Sequence, residues 1–407
     1  MNVQRCNVKP KIEAGRRKRC LARWVLLFGA VLPFGVQASF DGKAKVDAGL
    51  GYDSNIYRSP SSSYMDNSLT TPVLVSPSVE SGWFFPVALG ARGELGFSAQ
   101  QNLYVEYLFD GIRYLDSQHS NADQHESTLT LGTRYFLKPN SRFEYFDVGV
   151  ELSDQKRLYL ERDFGTNKAS SAGIDVSSRY TYSSVGLLAT YKQEKGNLDY
   201  RLDAKLYDKD YVDAIYISQM DHQLLELSAD VEYKFSKAWS GSGGYSHQSY
   251  DYVERPSRDA QGALSAVNPA LKYRIVSYTL GANHRYSKKL RLDAEYGYSI
   301  RSDLYVNYND YVKQSYKISA RYAINDGMNV RLFAMRWWRD YPNAFAFDEP
   351  GQQAKAYDGY MWSAQVNRDV NDYLQWSGEL RYQDENSTDL RYVYQRTQMV
   401  VAATVKW

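Results

Sequence analysis

The sequence predicts an all-β chain: a transmembrane antiparallel β-barrel of about eighteen strands, with sixteen as the alternative count. Three observations lead there. Apolar and polar residues alternate with a period of two along most of residues 44–407, which sends them to opposite faces of strands. The stretches between the strands alternate as well, short turns at one end and longer polar loops at the other. Beyond residue 38 no apolar run reaches the roughly 18 residues a membrane helix needs, yet the chain holds 37 tyrosines and is 15% aromatic. Mean hydropathy is low, −0.55. A membrane barrel gives such a value because its inward polar residues dilute the outward apolar ones. One alternating strand also fits a sheet packed on a soluble core, so the argument rests on the repetition.

Residues 1–38 differ in kind from the rest. Arg16, Arg17, Lys18, Arg19 and Arg23 precede the apolar stretch Trp24–Val36, too short to span a bilayer, and Val36-Gln37-Ala38 reads as a signal-peptidase site. The expectation is a cleaved export signal over 1–38 and one barrel domain over 39–407, with a retained anchor as the alternative. The Arg16-Arg17 pair does not indicate export in folded form, because a barrel must reach its membrane unfolded. The segment holds eight Lys and Arg and one acid, Glu13. Taking these from 49 basic and 47 acidic residues leaves 41 and 46, a net charge of −5 against +2 for the whole chain. The basic balance therefore belongs to the signal and gives no argument for nucleic acid. Cys6 and Cys20 lie in the same segment; the remainder has no thiol for a disulfide, a metal or a nucleophile.

The strands follow in order. Ala44, Val46, Ala48, Leu50 and Tyr52 oppose Lys45, Asp47, Gly49 and Asp53. Val87, Leu89, Ala91, Leu95 and Phe97 oppose Arg92, Glu94 and Ser98, with Pro86 expected to interrupt this second strand. Leu103, Val105, Tyr107 and Phe109 oppose Glu106 and Asp110. Leu225, Leu227, Val231 and Tyr233 oppose Glu226, Asp230, Glu232 and Lys234. Leu290, Leu292, Tyr296 and Ile300 oppose Arg291, Asp293, Glu295 and Arg301. Tyr316, Ile318 and Tyr322 oppose Lys317, Ser319 and Arg321, and Trp376 and Leu380 oppose Gln375, Glu379 and Arg381. Short turns are expected at 99–102, 138–142, 182–184, 236–237, 287–288, 325–327 and 368–372. Longer loops are expected at 54–71, 115–125, 153–171, 252–271, 302–312 and 339–356. Asn325-Asp326-Gly327 is a strong tight-turn sequence. The ambiguous zone is 198–221, read as two short strands about a turn at Asp208-Lys209-Asp210; merging them, or fraying the first hairpin, leads to sixteen. Tyr233, Tyr286, Tyr296, Tyr322 and Trp407 are expected in outward aromatic rims.

The last strand, 398–407, puts Met399, Val401, Ala403, Val405 and Trp407 on one face, and the chain ends on Trp407. This ending resembles the C-terminal signature of bacterial outer-membrane β-barrels, whose last strand closes the barrel. Together with VDAGLGYDSNIYRSP (46–60), VSPSVE (75–80) and the tyrosine-rich hairpins, the chain resembles the porin-like outer-membrane barrels found with exopolysaccharide and capsule systems. That resemblance implies the outer membrane of a Gram-negative cell, contact with outer-membrane lipid, and insertion by the barrel-assembly machinery through the C-terminal strand. It also implies polysaccharide and periplasmic export components as partners. The N-terminal helical repeats of relatives that handle surface lipoproteins are absent from the sequence.

A barrel of this size encloses water rather than a packed core. Its inward charges nearly cancel except in one sector, where Arg291, Arg301, Lys317, Arg321, Arg331 and Arg339 stand against Asp293 and Glu295. Such a basic ladder favours anions such as uronic-acid polymers; the competing reading is a set of wall-stiffening ion pairs. Aromatic tracks for sugar stacking are not separable from the interfacial girdle in so tyrosine-rich a chain. His119, His125, His222 and His284 fall in loops or near a turn without metal-ligand spacing, so neither a metal nor a cofactor is expected. His247 and Ser249 share the outward face of strand 239–251, as a base and nucleophile would. This resembles the His-x-Ser of outer-membrane phospholipases and lipid A deacylases, but Tyr250 and Asp251 stand where those continue Ser-Asn. The expected function is a diffusion or export pore without catalysis. The alternatives are a lipid esterase built on His247 and Ser249, and a plugged barrel that serves as an assembly partner.

Overall fold

A computed structural model describes residues 39–66, 72–139, 143–157, 170–171, 174–175, 177–212 and 220–407. The expected export signal, its cleavage site and both cysteines lie outside these residues, as does much of the expected loop 153–171. Sixteen strands close into one antiparallel barrel in which sequence neighbours pair throughout. They are β1 (Ser39–Asp53), β2 (Gly82–Ser98), β3 (Gln101–Tyr114), β4 (Gln124–Phe136), β5 (Tyr145–Lys156), β6 (Thr181–Lys195), β7 (Leu198–Tyr211) and β8 (His222–Lys234). These are followed by β9 (Trp239–Pro256), β10 (Ala270–Arg285), β11 (Leu290–Asp303), β12 (Tyr311–Asn325), β13 (Met328–Phe345), β14 (Ala354–Asp369), β15 (Leu374–Ser387) and β16 (Tyr394–Lys406). No helix among the described residues is long and apolar enough to cross a membrane.

The count is sixteen rather than eighteen, and two misread turns account for it. The expected turn at 182–184 is strand: Tyr182, Ser183 and Ser184 pair with Tyr211, Asp210 and Lys209. Asp208-Lys209-Asp210 is accordingly the outer end of β7, not a turn. Tyr207, Lys209 and Tyr211 turn inward, and Asp208 and Asp210 face outward where the strand ends beside the long loops. Strands β9 and β13 run on to Pro256 and Phe345, so the loops after them are shorter than the expected 252–271 and 339–356. His222, expected in a loop, opens β8. Pro86 does not break β2, which pairs with β3 across it. Only the pairing with β1 lapses, at Gly49 and Leu50, consistent with a residue that has no N–H to give.

Faces follow the expected parity. Leu50, Leu103, Leu131, Leu187, Leu227, Leu280, Ile318, Leu332, Trp362 and Val401 are exposed on the outer wall, the arrangement a lipid solvent demands. Tyr233, Tyr286, Tyr322 and Trp407 are exposed there too, and Tyr296 is half-buried against Tyr316, 5.1 Å away. Two-residue turns join strands at 99–100, 196–197 and 326–327; Gly196 takes φ +63°, a left-handed conformation that glycine adopts without strain. Apart from 137–144, the longer connections lie at the opposite end, which by the asymmetry of such barrels is extracellular. The barrel closes between β1 and β16, where Ala44 and Trp407 exchange backbone hydrogen bonds of 2.9 and 3.2 Å.

Candidate functional site in the charged lumen

Register, more than composition, organises the inner wall. Arg321 of β12 lies directly opposite Arg291 of β11 on one side and Arg331 of β13 on the other. Arg291 in turn lies opposite Arg285 of β10. Four guanidinium groups thus stand side by side on four neighbouring strands, close to the short-turn end. Directly opposed like charges destabilise a sheet, so the row is an electrostatic cost. Arg291, Arg321 and Arg331 line a cavity of about 710 Å³ together with Lys317, Ser319 and Asn329.

Around the rest of that end the arginines are mostly paired, although Lys43 stands opposite Arg92 and Lys192 opposite Arg201. Arg92 meets Glu94 at 2.8 Å, Arg134 meets Asp147 at 2.7 Å, Arg201 meets Asp203 at 2.7 Å and Lys234 meets Asp199 at 2.8 Å. Within the ladder, Lys317 holds Glu295 at 2.6 Å and Arg291 holds Asp293 at 3.2 Å. For these two the wall-stiffening reading fits. Arg285, Arg321 and Arg331 have no ion-pair partner among the described residues.

Arg301 and Arg339 do not join the row. They sit near the long-loop end among inward-facing aromatics. Arg301 lies over Tyr273, its Cζ 3.9 Å from the ring centre, and Arg339 lies 5.1 Å from the centre of Tyr311 and 5.4 Å from that of Tyr357. Lys313 stands opposite Arg339 on β12. The ladder expected as one sector is therefore two basic centres at different depths. Neither Arg285 nor the aromatic setting was readable from composition. Arg285 needs the pairing across the 286–289 turn, and the inward tyrosines are hidden among the many that face out.

His247 and Ser249 do share the outward face. His247 lies opposite Leu227 and Val276, and Ser249 opposite Leu225 and Arg274. No hydrogen bond joins the two side chains among the described residues. His119 packs against Tyr57 and Tyr114 and lies 3.4 Å from Glu80, whereas His125 pairs with Asp154 at 3.1 Å, so the structure does not bring these histidines together.

At the long-loop end the chain folds into a tied rim. The DSNIYRSP segment, 53–60, is largely buried. Arg396 donates from Nε to the fully buried Asp53 carboxylate at 3.0 and 3.1 Å, and Asn55 Nδ2 donates to the carbonyls of Ser59 and Gln395, each at 3.0 Å. On the other side Asp389, also fully buried, accepts from Arg391 at 2.8 Å, contacts Lys355 at 3.3 Å and accepts the Phe347 amide at 3.1 Å. Burial alone would raise the Asp389 carboxyl, but Arg391 and Lys355 hold it below the ordinary carboxylate range.

No protein-family model matches the chain, and no curated protein matches it in sequence. Solved structures match in fold. OmpF of Salmonella typhi, in complex with daunomycin, is 13% identical with a TM-score of 0.51, covering 90% of this chain and 97% of that one. An anion-selective porin from Comamonas acidovorans is 12% identical (TM-score 0.47; 91% and 100% covered), and a bacterial polysaccharide outer-membrane secretin is 8% identical (TM-score 0.47; 90% and 98% covered). At such identities only fold is carried, and the OmpF match carries it. With its closed sheet, apolar outer wall and polar lumen, the chain has the fold of a porin-like outer-membrane β-barrel.

Proposed function

We infer that the chain forms an aqueous pore for polar solutes with a preference for anions, an exported acidic polysaccharide being the solute class that fits best. The observation that supports this reading is the row Arg285, Arg291, Arg321 and Arg331, three of them without an acid partner among the described residues. A cost of this kind is offset when a negatively charged solute occupies the lumen, and inside low-dielectric walls fixed charge acts further than in bulk water. Interior width agrees, since sixteen-strand barrels leave a water-filled passage. Pore activity needs no catalysis, and His247 and Ser249 lack an orienting acid hydrogen-bonded to the imidazole among the described residues.

The test is ion selectivity of purified protein in planar bilayers at low salt, where screening is weakest. The wild type should show a weak anion preference, and Arg321→Glu with Arg331→Glu should move the reversal potential toward cations. A wild type without preference, matched by the variant, would make the row structural. A barrel that never conducts would favour a plugged assembly partner.

A further inference from the structure

The tyrosines at the long-loop end of the lumen have no interfacial duty, because they point away from lipid. They form a continuous inner arc. Tyr250 and Tyr273 stack with ring centres 4.5 Å apart; Tyr311, Tyr341 and Tyr357 follow at 5.4 and 5.8 Å. Between these two groups lies Arg301, 3.9 Å from the Tyr273 ring centre and 5.9 Å from that of Tyr311. Beyond it, Arg339 is steadied by a 3.2 Å hydrogen bond to the Tyr341 hydroxyl.

Three cations therefore meet in this arc, Arg301, Lys313 and Arg339, and none has an ion-pair partner among the described residues. The nearby acid Glu385 accepts a hydrogen bond from Tyr394 at 3.1 Å. The Nε atoms of Arg301 and Arg339 are buried without a hydrogen-bond partner. The tyrosine faces attract the two guanidinium groups but supply no counter-charge. A wall that only needed stiffening would supply a carboxylate, as the same barrel does for Arg92, Arg134 and Arg201.

We propose that this arc is a binding site for acidic sugars, in which tyrosine rings take the apolar faces of pyranose units while Arg301, Lys313 and Arg339 take their carboxylates. The chemistry is specific in both halves. A neutral sugar would leave the cations unanswered, and a small inorganic anion would leave the rings unused. Guanidinium groups present parallel N–H donors to a carboxylate, so charge and geometry both favour uronate over hydroxyl. The proposal deepens the pore reading by naming where a polymer is held and which class it belongs to. A chain crossing the lumen would pass from the arginine row to this arc.

The experiment is calorimetric titration of the detergent-solubilised barrel with a tetramer of glucuronate, beside a neutral glucose tetramer of the same length. The acidic tetramer should bind and the neutral one should bind at least about tenfold more weakly. Arg301→Gln with Arg339→Gln should weaken acidic binding by at least about tenfold, and Tyr311→Leu should weaken it too. Should the double variant fail to fold, Arg301→Lys is read instead. It keeps the charge but loses the flat fork, and should weaken acidic binding severalfold. Equal binding of the two tetramers, or acidic binding unchanged in the variants that fold, overturns the site. Because titration does not require conduction, a barrel that binds without conducting sinks the pore and keeps the arc. One that conducts without binding does the reverse.

Discussion

Asp389 shows how much of this molecule turns on single inward-facing residues. Its carboxylate is fully buried, and it ties loop 346–353 to loop 388–393 through the Phe347 amide, Lys355 and Arg391. Its pKa is depressed in the fold, so the stability it supplies is present above the ordinary carboxylate value of about 3.9 and is lost as pH falls through the lower folded value. Hydrogen-exchange protection of loop 346–353, relative to the intrinsic amide rate at each pH, should therefore hold steady from neutral pH to about pH 4 and fall in stronger acid. Asp389→Asn should loosen the same loop at neutral pH by roughly 1.5–3 kcal/mol, because it removes the charge-assisted hydrogen bonds of the nearer carboxylate and leaves Lys355 and Arg391 to Asp348, 3.6 and 3.5 Å away. A loop indifferent to both changes would show that the cluster ties nothing. Ser249 makes the opposite point. Ser249→Ala should leave the phospholipid and lipid A profiles of cells unchanged; loss of an acyl-cleavage product would revive the esterase. Parity alone placed His247 and Ser249 outward and all six ladder cations inward, since a period of two is legible without knowing any partner. Arg339 was readable as an inward cation, but its tyrosine surroundings depend on three strands far apart in sequence.

At the scale of the element, the strand face is the unit that lipid reads. Leu227, in the middle of β8, is exposed outward and opposes Ala204 and His247. Leu227→Arg should cost roughly 2–4 kcal/mol in urea titrations of the lipid-embedded barrel if the position lies near the midplane. Lys234, on the inner face of the same strand, is bound by Asp199 at 2.8 Å and Glu194 at 3.3 Å in a solvated setting. Lys234→Leu should cost no more than about 1 kcal/mol. Equal effects would mean that the faces are exchanged by a one-residue slip. Element ends were harder to read than faces. Residues 208–210 and 182–184 look like turns because lysine, aspartate and serine crowd there, yet Lys209 and Ser184 face a solvated lumen, and Asp208, Asp210 and Ser183 lie on strand ends beside the long loops. Polarity thus marks loops in a soluble sheet but not in this one. Pro86 misled for a related reason: the rule against proline concerns its missing N–H, and one lapse in one ladder is tolerated.

For the whole molecule, architecture was more legible than purpose. Repetition of the two-residue period over sixteen strands, with short and long connections in turn, is a property of the entire chain and survives local misreadings. Lumen chemistry depends on which strands end up adjacent and at what height, so the arginine row and the tyrosine arc emerge only from register. The mixture of signs around the row limits what the pore can do. Carboxylates on β2, β5 and β7 accompany the cations there, so the expected anion preference is modest and fades as salt is raised beyond about 0.1 M, where screening reaches about 10 Å.

The seam between β1 and β16 sets the order of assembly. Ala44 and Trp407 lie at opposite ends of the barrel sequence, yet they are hydrogen-bonded neighbours. Every other barrel pairing joins consecutive strands and can form as a hairpin as soon as its second strand arrives. Closure alone carries the loop-closure entropy of the full chain, and it must wait for the final residue. Until then any partial barrel has two bare edges, both of which template pairing with other chains. Both edges thus stay open until the last strand pairs with the first.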